Sequence, residues 1–162
     1  PGEVIAMAGA IPPSLEQHQL AALCEDWRKD GHRIGFANGC FDLLHPGHLY
    51  LLKTAASSCD KLVVGLNSDE SVRRLKGETR PIQNEDQRAA VLSQLPFVDG
   101  VAYFGEDTPL ELITALQPDI IFKGGDYTAE TVVGAGIAAA RGGDVVIVPT
   151  LGSHSSSAMI DG

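Results

Sequence analysis

Residues 38–49 read NGCFDLLHPGHL, and His45 and His48 are the first candidates for chemistry. They stand three positions apart around a Pro-Gly pair, on one side of a helix that Pro46 is suited to begin. Gly47 lets an incoming group approach the backbone closely. The unpaired amides and positive dipole end of such a helix attract an anion. Imidazoles beside that end can donate hydrogen bonds to phosphate oxygens without a large net charge, so a polyphosphate suits the stretch. Cys40 with both histidines is a possible zinc set. It is the weaker reading, because Cys40 falls across a strand end and no second Cys/His pair stands nearby. Two loop histidines without a task are a third reading. No G-x-S-x-G elbow offers a serine hydrolase. No G-x-G-x-x-G follows the first strand, and no G-x-x-x-x-G-K-[ST] occurs, so the usual nucleotide cradles are missing.

Other loops carry compatible groups. Lys76 and Arg80 lie in KGETRP, whose Gly77 and Pro81 shape a loop able to close over a ligand. Lys123 begins KGGD, where Gly124 and Gly125 permit close backbone contact and Asp126 can accept from a ribose or sugar hydroxyl; the same stretch also reads as an ordinary turn. Ser153, Ser155, Ser156 and Ser157 offer hydroxyls and helix-start amides to a second phosphate group, or form a plain N-cap.

These loops need elements to hold them. Helix periodicity runs over 14–30, with Ser14 and Gln17 as a capping box and Leu20, Leu23, Cys24 and Trp27 on one face. Apolar runs at 33–41, 61–67, 97–104, 118–124 and 143–150 read as strands. Between them, helices are expected from Pro46, from near Glu70, over 84–95, from Pro109 and around 129–140, with a last helix beginning at SSSAMI. Strands that are nearly all apolar and alternate with helices predict an α/β fold: an open, doubly wound, Rossmann-like sheet of five parallel strands with helices on both faces. Such sheets bind ligands at the carboxyl ends of their strands. The loops after strands one, two, four and five, at 38–48, 67–80, 123–127 and 150–157, are therefore expected to converge. The 162 residues fit one domain, with 1–32 as an N-terminal helical extension.

Composition narrows the function classes. A net charge of −9 argues against general nucleic-acid or anionic-membrane binding. Five of the twelve basic residues nevertheless fall between Arg73 and Arg88, which points to a small anionic ligand or to a solvated helix face. No apolar run is long enough to span a bilayer, and no signal pattern opens the sequence. Three scattered cysteines, Cys24, Cys40 and Cys59, give no disulfide framework, so a reducing cytoplasm is expected.

GCFDLLHPGH resembles the HxGH region of the nucleotidylyltransferase superfamily. More narrowly, FDLLHPGHLYLL, RRLKGETRPI, EDTPLELI and PDIIFKGGDY resemble the D-glycero-beta-D-manno-heptose 1-phosphate adenylyltransferases, over about residues 31–157. The resemblance implies ATP and the sugar 1-phosphate as substrates, ADP-heptose and pyrophosphate as products, and a place in lipopolysaccharide precursor synthesis. It implies His45, His48, Lys76 and Arg80 in catalysis, and Gly39, Cys40, Phe41, Gly47, Lys123, Gly124, Ser155, Ser156 and Ser157 at the nucleotide. Asp42, Arg88 and Asp126 fall to the sugar phosphate. It further implies magnesium on the ATP phosphates with no protein metal site, a homo-oligomer (dimer or tetramer), and the stand-alone form of the enzyme, since no sugar-kinase domain is attached. Ser153 stands where the family has a glycine and Thr150 where cytidylyltransferases have an arginine. A cytidylyltransferase acting on another phosphorylated alcohol or sugar is the alternative, and a non-catalytic nucleotide sensor would share the fold. The phosphate monoester acceptor, with a second pKa of about 6, is already mostly dianionic at neutral pH. It needs in-line positioning and charge stabilisation more than a general base.

Overall fold

The five apolar runs form one sheet. The computed structural model describes residues 12–125 and 132–149. Strands β1 (Ile34–Gly39), β2 (Lys61–Asn67), β3 (Gly100–Phe104), β4 (Ile120–Gly124) and β5 (Asp144–Val148) lie in the order β3-β2-β1-β4-β5. Every neighbouring pair is parallel. Parallel neighbours require crossovers, and helices supply them. Helix α2 (Pro46–Ser57) links β1 to β2, α3 (Asp69–Lys76) and α4 (Glu85–Ser93) link β2 to β3, α5 (Leu110–Leu116) links β3 to β4, and α6 (Ala135–Ala140) precedes β5. Strand order reverses between β1 and β4, which makes the fold doubly wound as expected.

Two apolar layers sandwich the sheet. Phe36, Val63 and Ile121 face Leu20 and Cys24 of α1 (Gln17–Lys29), Leu112 and Leu116 of α5, and Ala138 of α6. Their chain neighbours Ala37, Val64 and Phe122 face Leu52 of α2 and Ala89 and Leu92 of α4. This alternation with period two is what lets nearly uninterrupted apolar strands be buried on both sides. Helix α1 is part of that core, since Leu20 and Cys24 are wholly buried in it.

Three boundaries differ from the sequence reading. Helix α1 begins at Gln17, and its cap pairs Glu16 with Gln19, whose Oε1 accepts from the Glu16 amide at 3.0 Å. The chain before it is held extended, because Leu15 donates to Val101 O at 2.8 Å and bridges Ala102, so a cap at Ser14 is not available. Gln17 instead donates to Tyr103 O at 2.9 Å. Strand β3 starts at Gly100 rather than 97, because Leu95, Phe97 and Val98 pack on the core from a turn. Helix α6 starts at Ala135, after Gly134 with φ +89°, and the expected residues 129–131 lie outside the described ones. So does the SSSAMI helix start.

Candidate active site

The carboxyl ends of β1, β2 and β4 and the loop after β3 enclose a cleft of about 460 Å³. Gly39 and Cys40 line it from β1, Asn67 from β2, Lys76 from the end of α3 and Lys123 from β4. The turn 41–44 connects this wall to the histidines.

Both histidines are spent on opening α2, in a reciprocal arrangement. His45 is the N-cap, and its Nδ1 accepts from the Gly47 amide at 3.1 Å. His48 Nδ1 accepts in turn from the His45 amide at 3.2 Å. The rings stack with centroids 3.8 Å apart and planes 24° from parallel. A ring nitrogen that accepts carries no proton, so each neutral imidazole keeps its hydrogen on Nε2. His45 Nε2 is buried with no hydrogen-bond partner among the described residues. An unanswered buried donor costs about 1–3 kcal/mol, which a ligand acceptor would recover. The sequence reading gave the anion the free amides of the helix start. The structure shows the Gly47 amide already taken by the imidazole, whose own buried Nε2 is the donor left without a partner among the described residues. Gly47 is needed for space: a Cβ there would lie 2.9 Å from His45 Cε1 and 3.1 Å from Nδ1.

The turn before the histidines is braced from three sides. Phe41 has φ +47°, a left-handed conformation that costs a residue with a side chain about 1–2 kcal/mol. Its buried ring packs edge-on to His48, with centroids 5.3 Å apart. Phe41 therefore supports His48 from the core, and the cleft lining does not include it. The ring thus has a supporting role, whereas the nucleotide contact expected here is one of the backbone around Gly39, Cys40 and Phe41.

Arg88, expected at the sugar phosphate, has a structural role. It is 1% exposed and spends its guanidinium inside the protein: Nε on Gln83 O at 2.9 Å, one terminal nitrogen on Cys40 O at 2.8 Å and Asn67 O at 2.7 Å, the other on Asp69 Oδ1 at 2.7 Å. It ties the ends of β1 and β2 together. Asp42, expected at the sugar phosphate, is also 1% exposed. Its oxygens accept from the amides of Ile82 (2.8 Å) and Gln83 (2.9 Å) and from Arg80 Nε (3.0 Å). Burial works to raise its pKa, but the Gln83 and Ile82 amides and the Arg80 guanidinium outweigh it and hold the carboxyl below its ordinary value.

Of the remaining expected residues, Arg80 is partly exposed beside Asp42. Gly124 is absent from the cleft lining, and a Cβ there would make ordinary contacts with Leu51. Asp126 and Ser155, Ser156 and Ser157 lie outside the described residues. Burial pushes the Cys40 thiol up, against the thiolate a zinc site needs, and no three His, Cys, Asp or Glu side chains gather as a cage among the described residues. The sequence reading missed Asn38, Asn67, Asp107 and Thr108, all of which line the cleft. It left out the loop after β3; that loop is drawn in by Arg74, which bonds Asp107 Oδ1 at 3.2 Å and Gly105 O.

Residues 36–144 match the cytidylyltransferase-like family. The chain belongs to that family. A Bifunctional protein HldE from Hyphomonas neptunium is 55% identical over 156 residues, which are 96% of this chain and 31% of that protein. One from Acidiphilium cryptum is 54% identical over 153 residues, 94% of this chain and 32% of that one. The chain thus spans about a third of the length of these curated relatives. Among solved structures, a lipopolysaccharide core biosynthesis protein from Thermoplasma volcanium is 32% identical with a TM-score of 0.58, covering 75% of this chain and 98% of that one. A pantoate-beta-alanine ligase from Francisella tularensis shares the fold, at 16% identity and a TM-score of 0.60, over 84% of this chain and 66% of that one. A cytidylyltransferase-like domain is thus assembled here from β1 to α6, with α1 packed onto it from outside the matched segment.

Proposed function

We propose that this domain transfers the adenylyl group of ATP to D-glycero-beta-D-manno-heptose 1-phosphate, releasing pyrophosphate and ADP-heptose. The observation that carries the reading is the buried, unanswered Nε2 of His45 in a reciprocal histidine cap at the carboxyl end of β1. An imidazole donor at a helix start suits the oxygens of a polyphosphate whose charge grows as pyrophosphate departs. The acceptor oxygen is ionised at neutral pH, so the protein's task is alignment with the α-phosphorus. Lys76 and Lys123, which line the cleft, and Arg80 in the loop after α3 supply positive charge, while Asn38, Asn67, Asp107 and Thr108 of the cleft wall offer donors and acceptors to a polyhydroxylated body.

The sugar is supported by the four motifs that resemble heptose 1-phosphate adenylyltransferases and by the likeness to the lipopolysaccharide core biosynthesis protein of Thermoplasma volcanium. ATP enters as its magnesium complex, with the ion carried by phosphate and water oxygens. A dimer or tetramer is part of the same reading and is checked by sedimentation. No helix among the described residues is long and apolar enough to cross a membrane, and Cys24, Cys40 and Cys59 are unpaired, which fits a reducing compartment.

The test is pyrophosphate release with ATP, CTP and GTP against heptose 1-phosphate. Turnover is expected with ATP. Preference for CTP, or turnover only with another phosphorylated alcohol, would replace this reading with the cytidylyltransferase one, and ATP binding without any turnover would make the domain a sensor.

A further inference from the structure

The segment 77–83 between α3 and α4 has neither helix nor strand, and little apolar burial holds it. Gly77, Glu78 and Thr79 are exposed, and the Ile82 side chain is 63% exposed. One carboxylate takes most of the segment's hydrogen bonds to the rest of the site, and Arg88 Nε adds one on Gln83 O. Asp42 receives the Ile82 and Gln83 amides and the Arg80 guanidinium, all within 3.0 Å. Asp42 also belongs to the turn that carries the histidines, three residues before His45. Among the described residues Asp42 is the group that joins the Arg80 side chain directly to the histidine turn. Arg80 is gripped through Nε, and its two terminal nitrogens make no hydrogen bond among the described residues.

We propose that Asp42 is a positioning residue that latches loop 77–83 to the histidine turn and aims Arg80 at a substrate phosphate, without touching substrate itself. A buried carboxylate suits the task. It can accept several bonds at once, and a charge-assisted bond to guanidinium fixes direction as well as distance. The alternative anchor, apolar burial of Ile82, is not used. The inference rests on the phosphate-handling reading above.

The experiment combines amide exchange with a double-mutant cycle. In Asp42→Asn, exchange at the Ile82 and Gln83 amides is expected to accelerate about tenfold or more while β1 and β2 amides keep their protection. Pyrophosphate release should lose about tenfold in kcat/KM, mostly through KM, in both Asp42→Asn and Arg80→Ala. The double variant should be no worse than Arg80→Ala alone, because Asp42 acts through Arg80. Unchanged exchange, unchanged kinetics despite faster exchange, or additive losses would each overturn the latch. If Asp42→Asn does not fold, Asp42→Glu, which keeps the charge but displaces the carboxylate, carries the exchange arm, and unchanged protection at Ile82 and Gln83 there counts against the proposal. A wild-type protein that binds ATP yet releases no pyrophosphate removes the enzymatic reading alone. The cycle is then read on ATP affinity, with the same non-additivity expected and additivity again overturning the latch.

Discussion

The two ends of the sheet use polar side chains in opposite ways. At the amino ends of the strands, aspartates are consumed by the backbone. Asp60 accepts from the Arg33 amide at 2.7 Å, Asp99 from the Leu62 amide at 2.8 Å and Asp119 from the Ile34 amide at 2.9 Å. Each precedes a strand and satisfies a donor at the start of the neighbouring one, so that end is closed. At the carboxyl ends, a buried imidazole donor is left unanswered, two terminal nitrogens of Arg80 are unspent, and Phe41 is held at a positive φ. One end satisfies its polar groups to hold the fold, and the other keeps some unsatisfied for a ligand. Arg88 and Asp42 are the exceptions, structural groups placed at the functional end.

Arg88 gives the sharpest break in that pattern. Arg88→Ala leaves three carbonyls and Asp69 without their buried partner, and is expected to cost about 3–5 kcal/mol in urea unfolding. A variant of full stability and weakened phosphate binding would return Arg88 to the ligand side. His45→Ala or His48→Ala should do the reverse, cutting kcat about 100-fold or more, as loss of an oxyanion donor does, with far smaller change in unfolding free energy. Near-normal turnover in both would erase the distinction between the ends. Asp119→Ala, at the closed end, is expected to lose about 1–2 kcal/mol of stability at unchanged kcat. Gly47→Ala pushes a Cβ into the His45 ring and should lower kcat about 3–10-fold with the fold intact, a cost of misplacement. The smallest effect is in acid. The Asp42 pKa is depressed in the folded protein, so its stabilisation is present at neutral pH and is lost as pH falls through that depressed value. Asp42→Asn should accordingly flatten the acid limb of stability against pH, and an unchanged limb would place the dependence on other carboxylates.

Much of this was legible in the sequence where the signal is local. Apolar strands separated by helix starts revealed the parallel sheet, and the histidine spacing around Pro46 and Gly47 located the helix start that matters. What escaped was set by partners far along the chain. Arg88 reads as one more member of a basic segment, yet the carbonyls that claim it lie 48 and 21 residues away, at Cys40 and Asn67. Asp42 meets its partners 38 to 41 residues on. The loop after β3 joins the cleft through Arg74, a contact 31 to 33 residues apart that no periodicity announces. Phe97 and Val98 look like strand because they are apolar, but a turn buries them equally well.

The central claim, that His45 keeps a donor for a polyphosphate, can be read on the imidazole nitrogens themselves. In ¹⁵N NMR of the free protein the Nδ1 of each ring should be the accepting nitrogen, and adding magnesium-ATP should move the His45 Nε2 resonance toward that of a stronger hydrogen bond. A proton on Nδ1 of either ring, or ATP binding that leaves His45 unmoved, would contradict the account.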